Sequence, residues 1–163
     1  MSRSAPGRSP PRALLLCVAL ALLGPGPARA GTITSCTVSA IGVAFGAYTP
    51  LQAAPLDVNG TINITCTGVT GRNSVTIDLS TGSSNSYMPR KLKAGTYTLN
   101  YNLYFDAAYT QIWGNGTGGS VEGNATIRRR TPNVSLPVYG AVAAGQDPAP
   151  GSYGDTILVS VNY

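Results

Sequence analysis

Apolar and polar residues alternate with a period of two along most of the chain. In "TINITC", Ile62, Ile64 and Cys66 fall on one face and Thr61, Asn63 and Thr65 on the other. "SVTIDLS" sets Val75, Ile77 and Leu79 against Thr76, Asp78 and Ser80. "YTLNYNLYF" places Tyr97, Leu99, Tyr101, Leu103 and Phe105 together, and "VSLPVYGAV" repeats the rule. The chain closes on "DTILVSVNY", with Ile157, Val159, Val161 and Tyr163 on one side. Such alternation predicts half-buried β-strands. Between the runs stand Asn59-Gly60, Thr70-Gly71-Arg72-Asn73, Thr81-Gly82-Ser83-Ser84, "GNGTGG" and "GQDPAPGS", all turn-forming. No stretch keeps a 3.6-residue period over three turns. Short strands joined by Gly/Pro turns predict an all-β fold, an antiparallel β-sandwich. Pro137 predicts an edge position or a strand break. Tyr97, Tyr101 and Phe105 are expected in the core, while Tyr87, Tyr104 and Tyr109 are candidates for the outer surface.

The first 30 residues break this pattern. Arg3, Arg8 and Arg12 precede an 11-residue apolar run, Ala13 to Leu23, and Ala28-Arg29-Ala30 fits a small-x-small cleavage site. Residues 1–30 therefore read as a secretory signal peptide. The run is too short for a membrane span, and Pro25 and Pro27 follow it directly. Residues 31–163 form the predicted single domain, 133 residues long, enough to bury a core.

Removing the signal changes the charge. Of 11 Lys and Arg, four (Arg3, Arg8, Arg12, Arg29) leave, so seven face six acidic residues, a balance of +1. The apparent pI near 9.3 thus belongs mostly to the leader and gives no argument for nucleic acid. Arg128–Arg130 is the one basic run. It reads as a solvated strand or loop, with contact to an anionic surface or glycan as the alternative.

Cys17 leaves with the signal, and Cys36 and Cys66 remain. Two cysteines in an exported chain are expected to pair. The alternative is free thiols or metal ligands, but the chain has no histidine to complete a zinc site. The same absence excludes Ser-His-Asp and Cys-His catalysis. The carboxylates Asp57, Asp78, Asp106, Glu122, Asp147 and Asp155 are scattered, in no glycosidase-like motif. Gly114–Gly119 lacks the Lys-Ser/Thr of a phosphate loop and reads as a turn. The reading is a non-enzymatic protein with no cofactor and no metal.

Three segments, in order, carry a resemblance. They are "CTVSAIGVAFGAYTPLQAAPLDVNGTINITCTG" (Cys36–Gly68), "LNYNLYFDAAYTQIWGNGTGG" (Leu99–Gly119) and "VYGAVAAGQDPAPGSYGDTILVSVNY" (Val138–Tyr163). Together they resemble the spore coat protein U domain family, which includes the Csu-type pilins of archaic chaperone–usher systems. The resemblance implies an immunoglobulin-like sandwich lacking one strand, which a partner supplies in trans. It implies as partners a periplasmic chaperone, an outer-membrane usher and neighbouring pilin subunits. It also implies passage through the periplasm to a surface pilus, in adhesion and biofilm. On this reading Ile157, Val159, Val161 and Tyr163 line the acceptor groove, and Ile33, Val38 and Val43 are candidates for its opposite wall. Only "GTITS", Gly31 to Ser35, separates the cleavage site from Cys36. Five residues span about 17 Å with one large apolar side chain, a poor strand to donate. This predicts a terminal or minor subunit, such as a tip component. The competing expectation is a self-contained secreted coat or surface-binding domain.

Overall fold

A computed structural model describes residues 31–163; the predicted signal peptide lies outside the described residues. Eight strands build two antiparallel sheets: β1 (Ser35–Ile41), β2 (Leu56–Thr67), β3 (Arg72–Leu79), β4 (Arg90–Ala94), β5 (Tyr97–Tyr104), β6 (Gly123–Arg128), β7 (Asn133–Val142) and β8 (Val159–Asn162). One sheet has the order β1-β2-β7-β5-β4 and the other β6-β3-β8. Their facing sides make one core. Ile62, Ile64 and Cys66 of β2, Val75, Ile77 and Leu79 of β3, and Leu99, Tyr101 and Leu103 of β5 are buried in it, as the alternation predicts. Trp113 closes the core from the β5–β6 connection, fully buried, with Nε1 donating to the Ile77 carbonyl at 2.8 Å. Gly123 leaves room for its ring, which a β-carbon there would strike.

Four expectations need correction. Tyr97 is 57% exposed, because it sits at the first position of β5 beside the turn from β4. Tyr87 is buried and donates its hydroxyl to the Leu79 carbonyl at 3.0 Å. Tyr104 and Tyr109 are half-buried against each other, edge to face at 5.4 Å. Pro137 stands in β7, an interior strand of its sheet. The physical reason is local: β5 pairs with β7 only from Tyr139 to Val142, so beside Pro137 the β5 side of β7 is unpaired. Locally it is an edge, where a missing N–H is tolerated.

The disulfide is formed. Cys36 and Cys66 are cross-strand partners of β1 and β2, with Cα atoms 4.1 Å apart. The bond closes a sequence separation of 30 residues, which stabilises by about 3–4 kcal/mol in the chain-entropy account.

Candidate strand-acceptor groove

Each sheet ends in a strand with one free side, and the two free sides face the same opening. β1 pairs only with β2, and β8 only with β3. Pairing in β8 is shorter than the alternation predicts, covering Val159–Asn162 rather than Asp155–Tyr163. The reason is that the preceding residues change sheets. Gly154 exchanges backbone hydrogen bonds with Lys93 of β4, at 2.8 and 3.0 Å. Four residues on, Leu158 is bound to Ser80, beyond the end of β3. The chain crosses between the layers at Asp155–Ile157.

Asp155 fixes that crossing. Its Oδ2 accepts from the Tyr101 hydroxyl at 2.7 Å. Its Oδ1 accepts from the backbone N–H groups of Ser83 and Thr156, each at 2.9 Å. Gly82 (φ +63°) permits this approach, since a β-carbon would collide with the carboxylate. Burial, then the bond to Asp155, push the Tyr101 phenol far above its ordinary range, so it stays a neutral donor.

Between the crossing segment and the end of β1 lies a hollow of about 230 Å³. Its rim is Ala40, Ile41, Gly42 and Val43 on one side and Asp155, Ile157 and Val159 on the other. Its floor includes Ile62, Leu79, Leu103 and Val138, buried members of the core itself. The hollow therefore reaches down to the core, although its floor side chains stay buried. Apolar side chains line the opening from both sides: Ile41, 67% exposed, on one and the half-buried Ile157 and Val159 on the other. At the far end, Ile33, Arg72 and Tyr163 line a second hollow. Ile33 precedes β1 and Tyr163 follows β8, whereas Ile41 and Ile157 lie at the other end. β1 and β8 thus run in opposite directions along the opening. A strand laid between them is parallel to one and antiparallel to the other.

Of the seven residues predicted for the groove, Ile157, Val159 and Val43 meet in the first hollow. Val161 is half-buried and packs on the core. Ile33 and Tyr163 meet in the second hollow, with Tyr163 59% exposed rather than inward. Val38 lies on β1, 40% exposed. The sequence reading missed Ile41 and Phe45. "IGVAF" has no clean alternation, and Phe45 is placed by its edge contact with Tyr101, rings 5.8 Å apart.

The first residues of the domain are used internally. Thr32 and Thr70 exchange backbone hydrogen bonds at 3.2 and 2.9 Å, and the Thr34 N–H donates to the Thr67 carbonyl at 3.0 Å. Ile33 packs on the core.

Among the described residues, no helix is long and apolar enough to cross a membrane, and no cluster of three or more His, Cys, Asp or Glu could hold a metal. The fold and the groove together define an open-sided, immunoglobulin-like β-sandwich. The chain belongs to the Spore Coat Protein U domain family, whose model matches residues 27–160. Protein U of Myxococcus xanthus is 30% identical over 132 residues, spanning 73% of this chain and 70% of that protein. The fold is similar to a chain of the chaperone–tip adhesion subunit complex CsuC–CsuE, from the archaic chaperone–usher Csu pili of Acinetobacter baumannii. That likeness has a TM-score of 0.55 at 20% identity and covers 79% of this chain and 39% of the solved one.

Proposed function

We propose that this protein is a non-enzymatic structural subunit of a surface pilus, assembled by donor-strand complementation. The observation that carries the reading is the groove. Two edge strands, each with one free side, flank an opening whose floor is the hydrophobic core. Unpaired N–H and C=O groups along β8 offer a ladder, and the floor offers pockets for alternate side chains; this is the arrangement of β-strand addition. Ile157, Val159, Val161 and Tyr163 form the accepting edge, with Val43 and Ile33 opposite. The partners are a periplasmic chaperone that first fills the groove, an outer-membrane usher, and a neighbouring pilin whose N-terminal extension replaces the chaperone strand. The route is export through the signal peptide at residues 1–30, transit of the periplasm, and display on the cell surface in adhesion or biofilm. Residues 31–163 are the mature domain.

The subunit is a minor or tip component. Thr32 and Thr34 are tied to Thr70 and Thr67, which supports the view that a chain cut after Ala30 has no free strand to give. Intact mass of the secreted protein tests the cut. A longer N-terminus, or long fibres of this subunit alone with chaperone and usher, would contradict the terminal position.

Co-purification tests the groove. Co-expressed with an archaic-type chaperone, the mature chain is expected to yield a 1:1 complex. Val159→Asp, which puts a charge on the groove rim, is expected to abolish it while β1–β2 and the disulfide stay intact. An unaffected complex would contradict the assignment.

A second reading is a self-contained coat domain that accepts no strand. The family description, a spore coat domain, is the observation that favours it.

A further inference from the structure

We propose that the end of the groove beside Tyr163 recognises an acidic side chain on the incoming strand, and that this contact sets the strand's direction. The inference rests on the strand-acceptor reading and adds the chemistry of the partner.

The observation is a separation of charge along the sandwich. Arg72 of β3 and Arg128 of β6 are directly opposed in the antiparallel register. Arg129 and Arg130 follow in the turn to β7. All four are exposed, and they hold four of the seven cations in residues 31–163. Of the six acids, Asp147 follows the far end of β7, Asp106 is bound by Thr110 and Gln111, and the other four stand away from this end. Asp57 opens β2 opposite Ala141, Asp78 lies near the far end of β3 opposite Ser160, Glu122 precedes β6, and Asp155 is bound at Ser83. Like charges opposed across two strands repel. A cluster of guanidinium groups without interleaved acids is therefore a site that an incoming carboxylate relieves.

The position of the cluster identifies the occupant. Arg72 lines the hollow of about 430 Å³ that Ile33 and Tyr163 also line, at the end of the opening between β1 and β8. β3 extends beyond the last paired residue of β8, since Asn162 pairs with Thr76 and Arg72 lies four positions further. A strand running along β8 past Tyr163 enters this hollow. The opposite end of the opening carries Asp155, with its carboxylate already bound to three donors. The other three cations stand on β4, where Arg90 is buried and Lys93 Nζ donates to the Ser83 carbonyl at 2.7 Å, and none of them lines the hollow of Ile157 and Val159. A strand with an acid at one end fits in one direction only, which main-chain pairing and alternating apolar side chains do not enforce.

The test uses the mature chain in its chaperone complex and a set of strand peptides. Each is acetylated and amidated, with the same alternating Ile/Val/Thr core. Two carry a pair of Glu, at the N-terminal or the C-terminal end, two carry Lys at the same places, one is the uncharged core, and each bears a photo-crosslinker at its first residue to report its direction. Displacement of the chaperone is followed by fluorescence anisotropy. Both Glu placements are expected to exchange at least tenfold more effectively than the Lys placements, and to cross-link in opposite directions, with the Glu end beside Tyr163 each time. The preference is expected to vanish in Arg72→Gln/Arg128→Gln and to shrink at 0.5 M salt, where screening lengths fall to about 4 Å. Both side chains are exposed, and thermal unfolding of the double variant checks its fold. The same strand direction for both Glu placements, or a Glu preference unchanged in the double variant, overturns the inference and leaves the groove reading standing. Failure of every peptide, the uncharged core included, overturns both.

Discussion

At the scale of single residues, the least expected feature is Arg90. Its side chain is fully buried with no carboxylate bonded to it. Nε and Nη2 donate to the Ser80 carbonyl at 3.0 and 2.8 Å, Nη2 to the Trp113 carbonyl at 2.7 Å, and Nη1 to Asn102 Oδ1 at 2.9 Å. The guanidinium also stacks on Tyr87, 4.9 Å from the ring centre. Burial lowers its pKa, but a guanidinium stays charged at any ordinary pH. It ties the ends of β3 and β5 to the Trp113 segment and so supports the groove floor. Arg90→Met should leave the Ser80 and Trp113 carbonyls unpaired, while Asn102 Oδ1 keeps the Leu103 N–H, and cost about 3 kcal/mol in urea unfolding; Arg90→Lys should not restore the fork. Asp106 makes a pH prediction. The Thr110 hydroxyl and the Gln111 N–H donate to its carboxylate, at 2.6 and 2.7 Å, and hold its pKa below the ordinary value. A depressed folded pKa adds stability above the unfolded pKa and loses it as pH falls through the folded one. The stability gap between wild type and Asp106→Ala should therefore be full at neutral pH. It should close as pH drops below the ordinary carboxylate range, about 4.

At the scale of elements, β2 and β3 were legible because each has one face in the core and one outside, so burial wrote itself into alternation. β4 was not. "RKLKA" offers Leu92 as its one large aliphatic side chain, and Arg90 is buried through hydrogen bonds that no periodicity reveals. The terminal run misled in its length. Its alternation begins at Asp155, but the first residues cross between sheets under the control of Asp155 contacts made by Ser83 and Tyr101, distant in sequence. Tyr163 was placed inward by parity alone, yet it lies past the last paired residue of β8. The β1–β2 hairpin carries its own prediction. Cys36→Ala/Cys66→Ala should lower stability by about 3 kcal/mol. It should also free β1, one wall of the groove, so that hydrogen exchange rises along Ser35–Ile41 more than along β3.

At the scale of the whole molecule, an apolar edge left open is a hazard that proteins normally cover. Here the uncovered edge and the hollow that reaches the core coincide. From Ile157 to Tyr163 the opening is about 20 Å long at strand rise, room for one strand of six or seven residues. The resemblance of three separated segments implied a groove beside the last strand, whereas periodicity alone reached only "antiparallel β-sandwich". Neither could show where the cations gather, because Arg72 and Arg128 are neighbours only through the β3–β6 register.

The most direct test of the central claim is the thermal unfolding of the purified mature domain, residues 31–163, with and without an alternating apolar strand peptide. The account predicts a domain that aggregates or melts low when alone, and one cooperative transition raised by 15 °C or more, on the order of several kcal/mol, once the peptide fills the groove. A monomer that unfolds reversibly at high temperature by itself, with no change on adding any strand, would contradict it.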